Sequence, residues 1–199
     1  MLKETIDKRI FEFFQNMESL GISEKSIQRM RDHLKVLDVK SKENLINPGQ
    51  VCKNLYFVVK GGFVCRYVHQ KTGVAKTINF YLDDLHPIMA CLDSYFTQTP
   101  TGCELKAISN SWVLSLPKLV IDSLANDDNN FLSYQSEIIR TAMTEENELK
   151  ANLISFSAQE KYEFVMDKMP SVVQCVPSKY IAEFCGISPE WLSKLKRLQ

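Results

Sequence analysis

The stretch Pro177–Leu198, PSKYIAEFCGISPEWLSKLKRL, reads as two short helices joined at a tight corner. Pro177 and Ser178 open the first helix, where proline's missing N–H costs nothing and a hydroxyl can cap a free amide. Ile181, Ala182 and Cys185 give it an apolar face that includes one small residue. Gly186 supplies the backbone freedom of a sharp turn, and Ile187 plugs the corner. Ser188-Pro189-Glu190 restarts a helix with a hydroxyl at the cap, a proline in the first position and a carboxylate at the positive end of the dipole. Trp191, Leu192, Leu195 and Leu198 share one face of this second helix. Glu190, Ser193, Lys194 and Arg197 share the other.

That polar face suits the major groove of a duplex. Ser188 and Ser193 can bond phosphates, Lys194 and Arg197 can bond phosphates or guanine, and Glu190 can accept from a cytosine amino group. A surface helical hairpin with a solvated charged face offers the same residue types. Here, however, the small residue, the corner glycine, the plug and the second cap occur together and in order, which is the pattern of a helix-turn-helix.

Composition bounds the rest. The chain has 199 residues, a 45% hydrophobic fraction and 24 basic against 24 acidic residues. It can build a proper core as one large domain or a medium and a small one. With net charge zero it is no general polyanion binder, so contact with nucleic acid must come from a local basic patch. From Ser188 onward Glu190 stands against Lys194, Lys196 and Arg197, a modest excess that implies two copies acting together. No apolar run reaches membrane-spanning length, and MLKETIDKRIFEFF reads as an amphipathic helix rather than a signal sequence. The expectation is a cytoplasmic protein without membrane contact.

The cysteines, Cys52, Cys65, Cys91, Cys103, Cys175 and Cys185, form no C-x-x-C pair and sit among apolar neighbours. They read as reduced core residues of a cytosolic chain, and their spacing suggests no metal or iron–sulfur site. His33, His69 and His86 are equally scattered. No metal, cofactor or catalytic residue is expected.

In chain order, residues 3–19 make a helix with Ile6, Ile10, Phe13, Phe14 and Met17 on one face, and Ser23 caps a second helix running to about His33. The period then changes to two. Val36–Lys40, Asn44–Asn47, Leu55–His69, Val74–Leu82, Glu104–Ser109 and Trp112–Pro117 supply about eight short strands, broken by turns at Asn47-Pro48-Gly49, Gly61-Gly62 and Lys71-Thr72-Gly73. Such a run makes an antiparallel sandwich or barrel. After Pro117 the helical period returns, with Lys118–Ala125 and a long helix from about Asn130 to Ser155. In the long helix Tyr134, Ile138, Ala142, Leu149 and Leu153 recur as a seam for a partner helix, interrupted by Glu145 and Glu146. A helix packed on its own barrel is the other reading of that seam. Ser157–Pro170 forms a further helix, stopped by Pro170, and the domain boundary falls at a hinge near Ser155–Ser157.

The fold class is therefore α+β. It comprises an N-terminal antiparallel double-stranded β-roll with its long dimerisation helix (1–155) and a C-terminal helix-turn-helix domain (156–199). This order resembles the cyclic-AMP receptor protein / fumarate–nitrate regulator (Crp/Fnr) superfamily of bacterial transcription factors, in the branch found in Bacteroidetes-type bacteria. The residues that carry the resemblance are LYFVVKGGFVCRY (Leu55–Tyr67), SYFTQTPT (Ser94–Thr101), SAQEKYEFVMDKMP (Ser157–Pro170) and PSKYIAEFCGISPEWLSKLKR (Pro177–Arg197). The resemblance implies a homodimer paired through the long helix, double-stranded DNA with a pseudo-palindromic operator as ligand, and RNA polymerase as a further partner. The family's base-reading positions fall on Ser188, Pro189, Glu190, Ser193 and Lys194. Ser178, Lys179 and Arg197 complete the DNA-binding set. Pro189 stands where several relatives carry arginine, so the operator should differ, and a wing after the second helix is expected to be absent or vestigial.

Relatives that bind cyclic nucleotides carry a Gly-Glu turn and, about ten residues later, an arginine followed by Ser or Thr. Tyr81–Ser109 offers Leu85-His86-Pro87 at the turn and no arginine, while Asp83, Asp84 and Asp93 would repel a phosphate. The expected effector is thus an unidentified small molecule other than a cyclic nucleotide, near Met89, Cys91, Thr101 and Cys103. Those four also read as plain core or as a redox-sensitive pocket. An enzyme would need a nucleophile–base pair or a metal cluster, and no such motif occurs; a cupin would need more strand histidines than His69 and His86. The remaining alternative is a ligand-binding or interaction roll that does not bind DNA, which a reading face buried against the roll would favour.

Overall fold

The structure, a computed structural model, describes residues 2–197. Helices α1 (Leu2–Ser19) and α2 (Glu24–His33) precede eight strands: β1 (Lys35–Val39), β2 (Asn44–Ile46), β3 (Asn54–Lys60), β4 (Gly62–Val68), β5 (Ala75–Leu82), β6 (Ile88–Met89), β7 (Cys103–Ala107) and β8 (Ser111–Pro117). They form two four-stranded antiparallel sheets, in the orders β1-β8-β3-β6 and β2-β7-β4-β5. Period-two patterning feeds a common interior, where Tyr56 and Val58 from one sheet meet Phe63, Cys65 and Leu105 from the other. The corner between β3 and β4 needs its glycines. Gly61 has φ +92°, and a Cβ on Gly62 would lie 2.3 Å from Leu82 Cδ2.

A short helix, α3 (Leu92–Thr97), follows β6 where no helix is expected from the sequence. At six residues it is too short to show a period, and it is held by contacts from afar. Ser94 Oγ accepts from Cys52 N at 2.8 Å and donates to Thr99 O, and the Gln98 amide donates to Cys52 O at 3.2 Å.

Helix α4 (Lys118–Asp127) packs with α1 and α2 around Phe14, Met17, Met30, Leu116 and Leu124. Asp128 then caps the long helix α5 (Asn129–Ser155), accepting from the Asn130 and Phe131 amides. Its second oxygen accepts from Ser23 N and from the Ser23 and Ser26 hydroxyls, tying the cap of α2 to the cap of α5. Burial alone would raise its pKa, but these donors hold the carboxyl well below the usual carboxylate range.

Beyond α5 lie α6 (Ala158–Lys168), α7 (Pro170–Cys175), α8 (Ser178–Cys185) and α9 (Pro189–Arg197). Ser157 and Glu160 form a reciprocal capping box on α6. Pro170, read from the sequence as a stop, instead occupies the first position of α7, where a proline starts a helix without losing a hydrogen bond. Cys175, expected in the core, is exposed on that short helix.

Candidate nucleic-acid interface

α8 and α9 meet at the corner the sequence marks. Gly186 takes a left-handed conformation (φ +70°), and Ile187 N donates back to Ala182 O at 2.9 Å, closing α8. Ser188 Oγ caps α9 by accepting from Trp191 N at 3.2 Å. Leu192 and Leu195 are buried among Tyr162, Val165, Ile181 and Cys185, which anchors α9 along one edge. Ser188, Pro189, Glu190, Ser193, Lys194 and Arg197 are all exposed. A hydrogen bond with Ser188 lowers the Glu190 pKa, so its carboxylate stays an ionised acceptor.

Two expectations are corrected here. Trp191 is 47% exposed, not inward, with the Lys194 ammonium 5.8 Å from its ring centroid. The buried stripe is centred on Leu192 and Leu195, and Trp191 lies on its margin; Leu198 lies outside the described residues. Ser178 does not cap α8. Its hydroxyl accepts from Lys196 Nζ at 2.8 Å, joining the two helices, and the Lys179 ammonium sits 4.5 Å over the Tyr180 ring.

The helix-turn-helix is docked on the outer face of the second sheet. Phe80 of β5 stacks on Phe184 of α8 with centroids 4.9 Å apart, and Val64, Phe80 and Leu82 share one buried cluster with α5–α9. At its edge is an ionic latch. Arg66 of β4 donates through Nε and Nη2 to both carboxylate oxygens of Glu183 on α8, each at 3.0 Å, and through Nη1 to Glu104 of β7 at 2.7 Å. Thr77 Oγ1 adds a bond to Glu183 at 2.8 Å. Burial works against the guanidinium's charge, but the two carboxylates more than offset it, so Arg66 stays charged. Ser171 of α7 also bonds Asp84 of the roll. Sequence reading missed Arg66 and Glu183; the available signal was a single charged residue in the apolar run Gly61–Val68.

The predicted seam of α5 has a different place. Leu149 is buried and Leu153 half-buried against the α6–α9 unit, and Tyr134 packs beside α1, α2 and α4. Ile138 and Ala142, on the same stripe, are half-buried. The interrupting glutamates also face the roll, with Asn79 donating to Glu146 at 2.7 Å and Glu145 lying 3.5 Å from the His86 ring. This stripe therefore lies on the protomer's own body. Roughly a third of a turn away, Leu132, Met143 (61% exposed) and Ile154 (76%) are uncovered, with half-buried Ile139 between them.

Met89, Cys91, Thr101 and Cys103 converge inside the roll, and all four are buried. The Thr101 hydroxyl donates toward Asp93 at 3.2 Å and accepts from Cys103 N at 3.0 Å. Among the described residues no group of His, Cys, Asp and Glu could hold a metal ion, and no helix is long and apolar enough to cross a membrane.

No protein-family model matches the chain, and no curated protein does. Solved structures do. A protein described as a transcriptional regulator of the crp/fnr family from Eubacterium rectale superposes with a TM-score of 0.68 at 14% identity, over 89% of this chain and 83% of that one. FixK2 from Bradyrhizobium japonicum gives 0.69 at 12% identity, over 83% of each chain. A cyclic nucleotide-binding domain containing protein from Listeria monocytogenes gives 0.66 at 11%, over 96% of this chain and 89% of that one. Roll, long helix and helical C-terminal unit thus follow one another here as they do in those proteins, and the chain has the fold of the Crp/Fnr regulators.

Proposed function

We propose that the chain is a sequence-specific DNA-binding transcription regulator of the Crp/Fnr type. It acts as a homodimer whose roll senses an effector other than a cyclic nucleotide and re-aims two copies of α9. The observation that carries this reading is the division of α9, with Leu192 and Leu195 buried while Ser188, Glu190, Ser193, Lys194 and Arg197 stay exposed on the opposite side. A roll that does not bind DNA would have no use for a cationic face kept clear of its own body. Two such helices, held about 34 Å apart, would enter successive major grooves on one side of a duplex. Pairing is through α5, along the uncovered Leu132–Ile139–Met143–Ile154 stripe rather than the stripe through Leu149. The segment Phe156–Ser157 between α5 and α6 is the hinge, and RNA polymerase is the downstream partner.

The test is binding to genomic operator fragments across a salt series. Lys194→Ala with Arg197→Ala should weaken binding and flatten the log–log salt slope by about 0.9 for each phosphate no longer neutralised. Binding that ignores both salt and these substitutions would remove the DNA assignment. Calorimetry with cyclic AMP and cyclic GMP should show no heat, and micromolar binding of either would overturn that part.

A further inference from the structure

Trp191 breaks the burial rule that the rest of its unit obeys. In α6–α9 every other large apolar side chain among the described residues is buried or half-buried, whereas this indole is 47% exposed. Leu192 and Leu195 take up the anchored side of α9. At about 100° per residue, the ring stands roughly 70° round the helix from the middle of that pair and roughly 60° from Lys194. It forms a shoulder between the buried edge and the cationic face. On the opposite shoulder Lys196 is tied back to α8 by its bond to Ser178. The Trp191 shoulder is open. Its main-chain N–H donates to Ser188, but among the described residues nothing accepts from its indole N–H. The Lys194 ammonium lies 5.8 Å from the ring centroid.

We infer that Trp191 is an uncharged contact of α9 with the DNA backbone, its ring packed on a deoxyribose at the wall of the major groove and its N–H donated to the adjoining phosphate. A helix with its side chains is about 10–12 Å across, and the major groove is about 12 Å wide. With Glu190 and Arg197 turned toward the groove floor, the shoulders of α9 meet the walls, which are sugar and phosphate. An indole suits such a wall. It offers an apolar body to the sugar and one donor, with no acceptor, to an anionic oxygen. The ring also gives the Lys194 stem, one helical turn away, a surface to lie along, which directs its ammonium to the same strand. The inference rests on the reading of α9 as the element that enters the groove.

An uncharged contact has its own signature. Lys194 and Arg197 act by neutralising phosphates, so their loss changes the slope of binding against salt. Loss of an indole releases no counterion and lowers affinity by one factor at every salt concentration. Sugar and phosphate repeat at every step of a duplex, so that factor is the same on an operator and on unrelated DNA.

The experiment uses the full chain with Trp191→Ala and Trp191→Phe, the unfolding midpoint of each being compared with that of the parent. Binding to the tightest genomic fragment and to an unrelated duplex is followed by fluorescence anisotropy of the labelled DNA across a salt series. Trp191→Ala should weaken binding ~10-fold or more. Trp191→Phe, which keeps a ring and loses the donor, should weaken it ~3-fold. Both should keep the parent's salt slope and act equally on the two duplexes. Acrylamide quenching reads the ring directly, because the chain has two tryptophans and the Trp191→Phe emission is that of Trp112 alone. Saturating duplex should reduce the quenching of Trp191 at least ~3-fold. Affinities within about twofold of the parent, or a ring quenched equally with and without duplex, would overturn the contact. Loss confined to the operator would overturn its place on the backbone. Shielding that grows with protein concentration in the absence of DNA would assign the ring to a protein interface and overturn it too. A parent chain that binds no duplex overturns the proposed function along with this contact, whereas a parent that binds while Trp191 stays open to acrylamide overturns the contact alone.

Discussion

Asp128 carries more of the fold than its place in a polar break suggests. One carboxylate caps α5 through Asn130 and Phe131 and, through Ser23 and Ser26, fixes the start of α2. Asp128→Ala should cost about 2–3 kcal/mol in urea unfolding, since charge-assisted bonds are lost and buried donors are left unmet. Its folded pKa lies below the unfolded value. The stability it contributes is therefore complete above the ordinary carboxylate range near pH ~4 and is lost as pH falls through and below it. Asp128→Asn should flatten the acid limb of a stability–pH curve, and an unchanged limb would refute the assignment. The tetrapeptide Asn126-Asp127-Asp128-Asn129 is legible in the sequence as a break. Which aspartate caps, and what else it holds, depends on Ser23 arriving from 105 residues away.

At the scale of elements, α5 shows why periodicity is only half an answer. Its 27 residues span about 40 Å and carry apolar side chains on two faces. One, through Ile138, Ala142, Leu149 and Leu153, lies on the protomer; the other, through Leu132, Ile139, Met143 and Ile154, is uncovered. Spacing cannot say which face meets its own chain, because both satisfy the same period. Leu149→Ala should destabilise the protomer by about 2–4 kcal/mol by opening a cavity, without direct effect on pairing. Met143→Glu should leave the unfolding midpoint almost unchanged and abolish dimers in sedimentation velocity. Reversal of these two effects would return the seam to the Leu149 face. The same limit explains α3 and α7, six residues each, which are too short to show a helical period. Seven of the eight strands were legible from runs with a period near two between turn residues, whereas β6, two residues long, was too short to show one.

For the whole molecule, the latch decides how firmly the α8–α9 unit sits on the roll. Arg66, Glu104 and Glu183 are each mostly buried, so removing one partner strands a charge. Glu183→Ala should weaken docking by about 1–3 kcal/mol, the lower end applying because Glu104 still faces Arg66. Limited proteolysis near Phe156–Ser157 should then run roughly fivefold faster or more, as the open form gains population. An unchanged cleavage rate would mean that the Phe80–Phe184 contact and its apolar surroundings hold the unit without help from the latch.

The sequence by itself determined the local devices: the two-helix corner at Gly186, the cap at Ser188, the alternating strands and the residues displayed on α9. These are set by neighbours a few positions apart, through caps, turns and burial period, and such interactions need no knowledge of the rest of the chain. Tertiary structure alone decided that Arg66 meets Glu183 across 117 residues, that α5 gives its Leu149 face to its own protomer, and that four scattered cysteines are buried in one core. Each of these pairings is made by the closing of the roll and the docking of α8 upon it. Contacts so distant along the chain leave no periodic trace in the sequence.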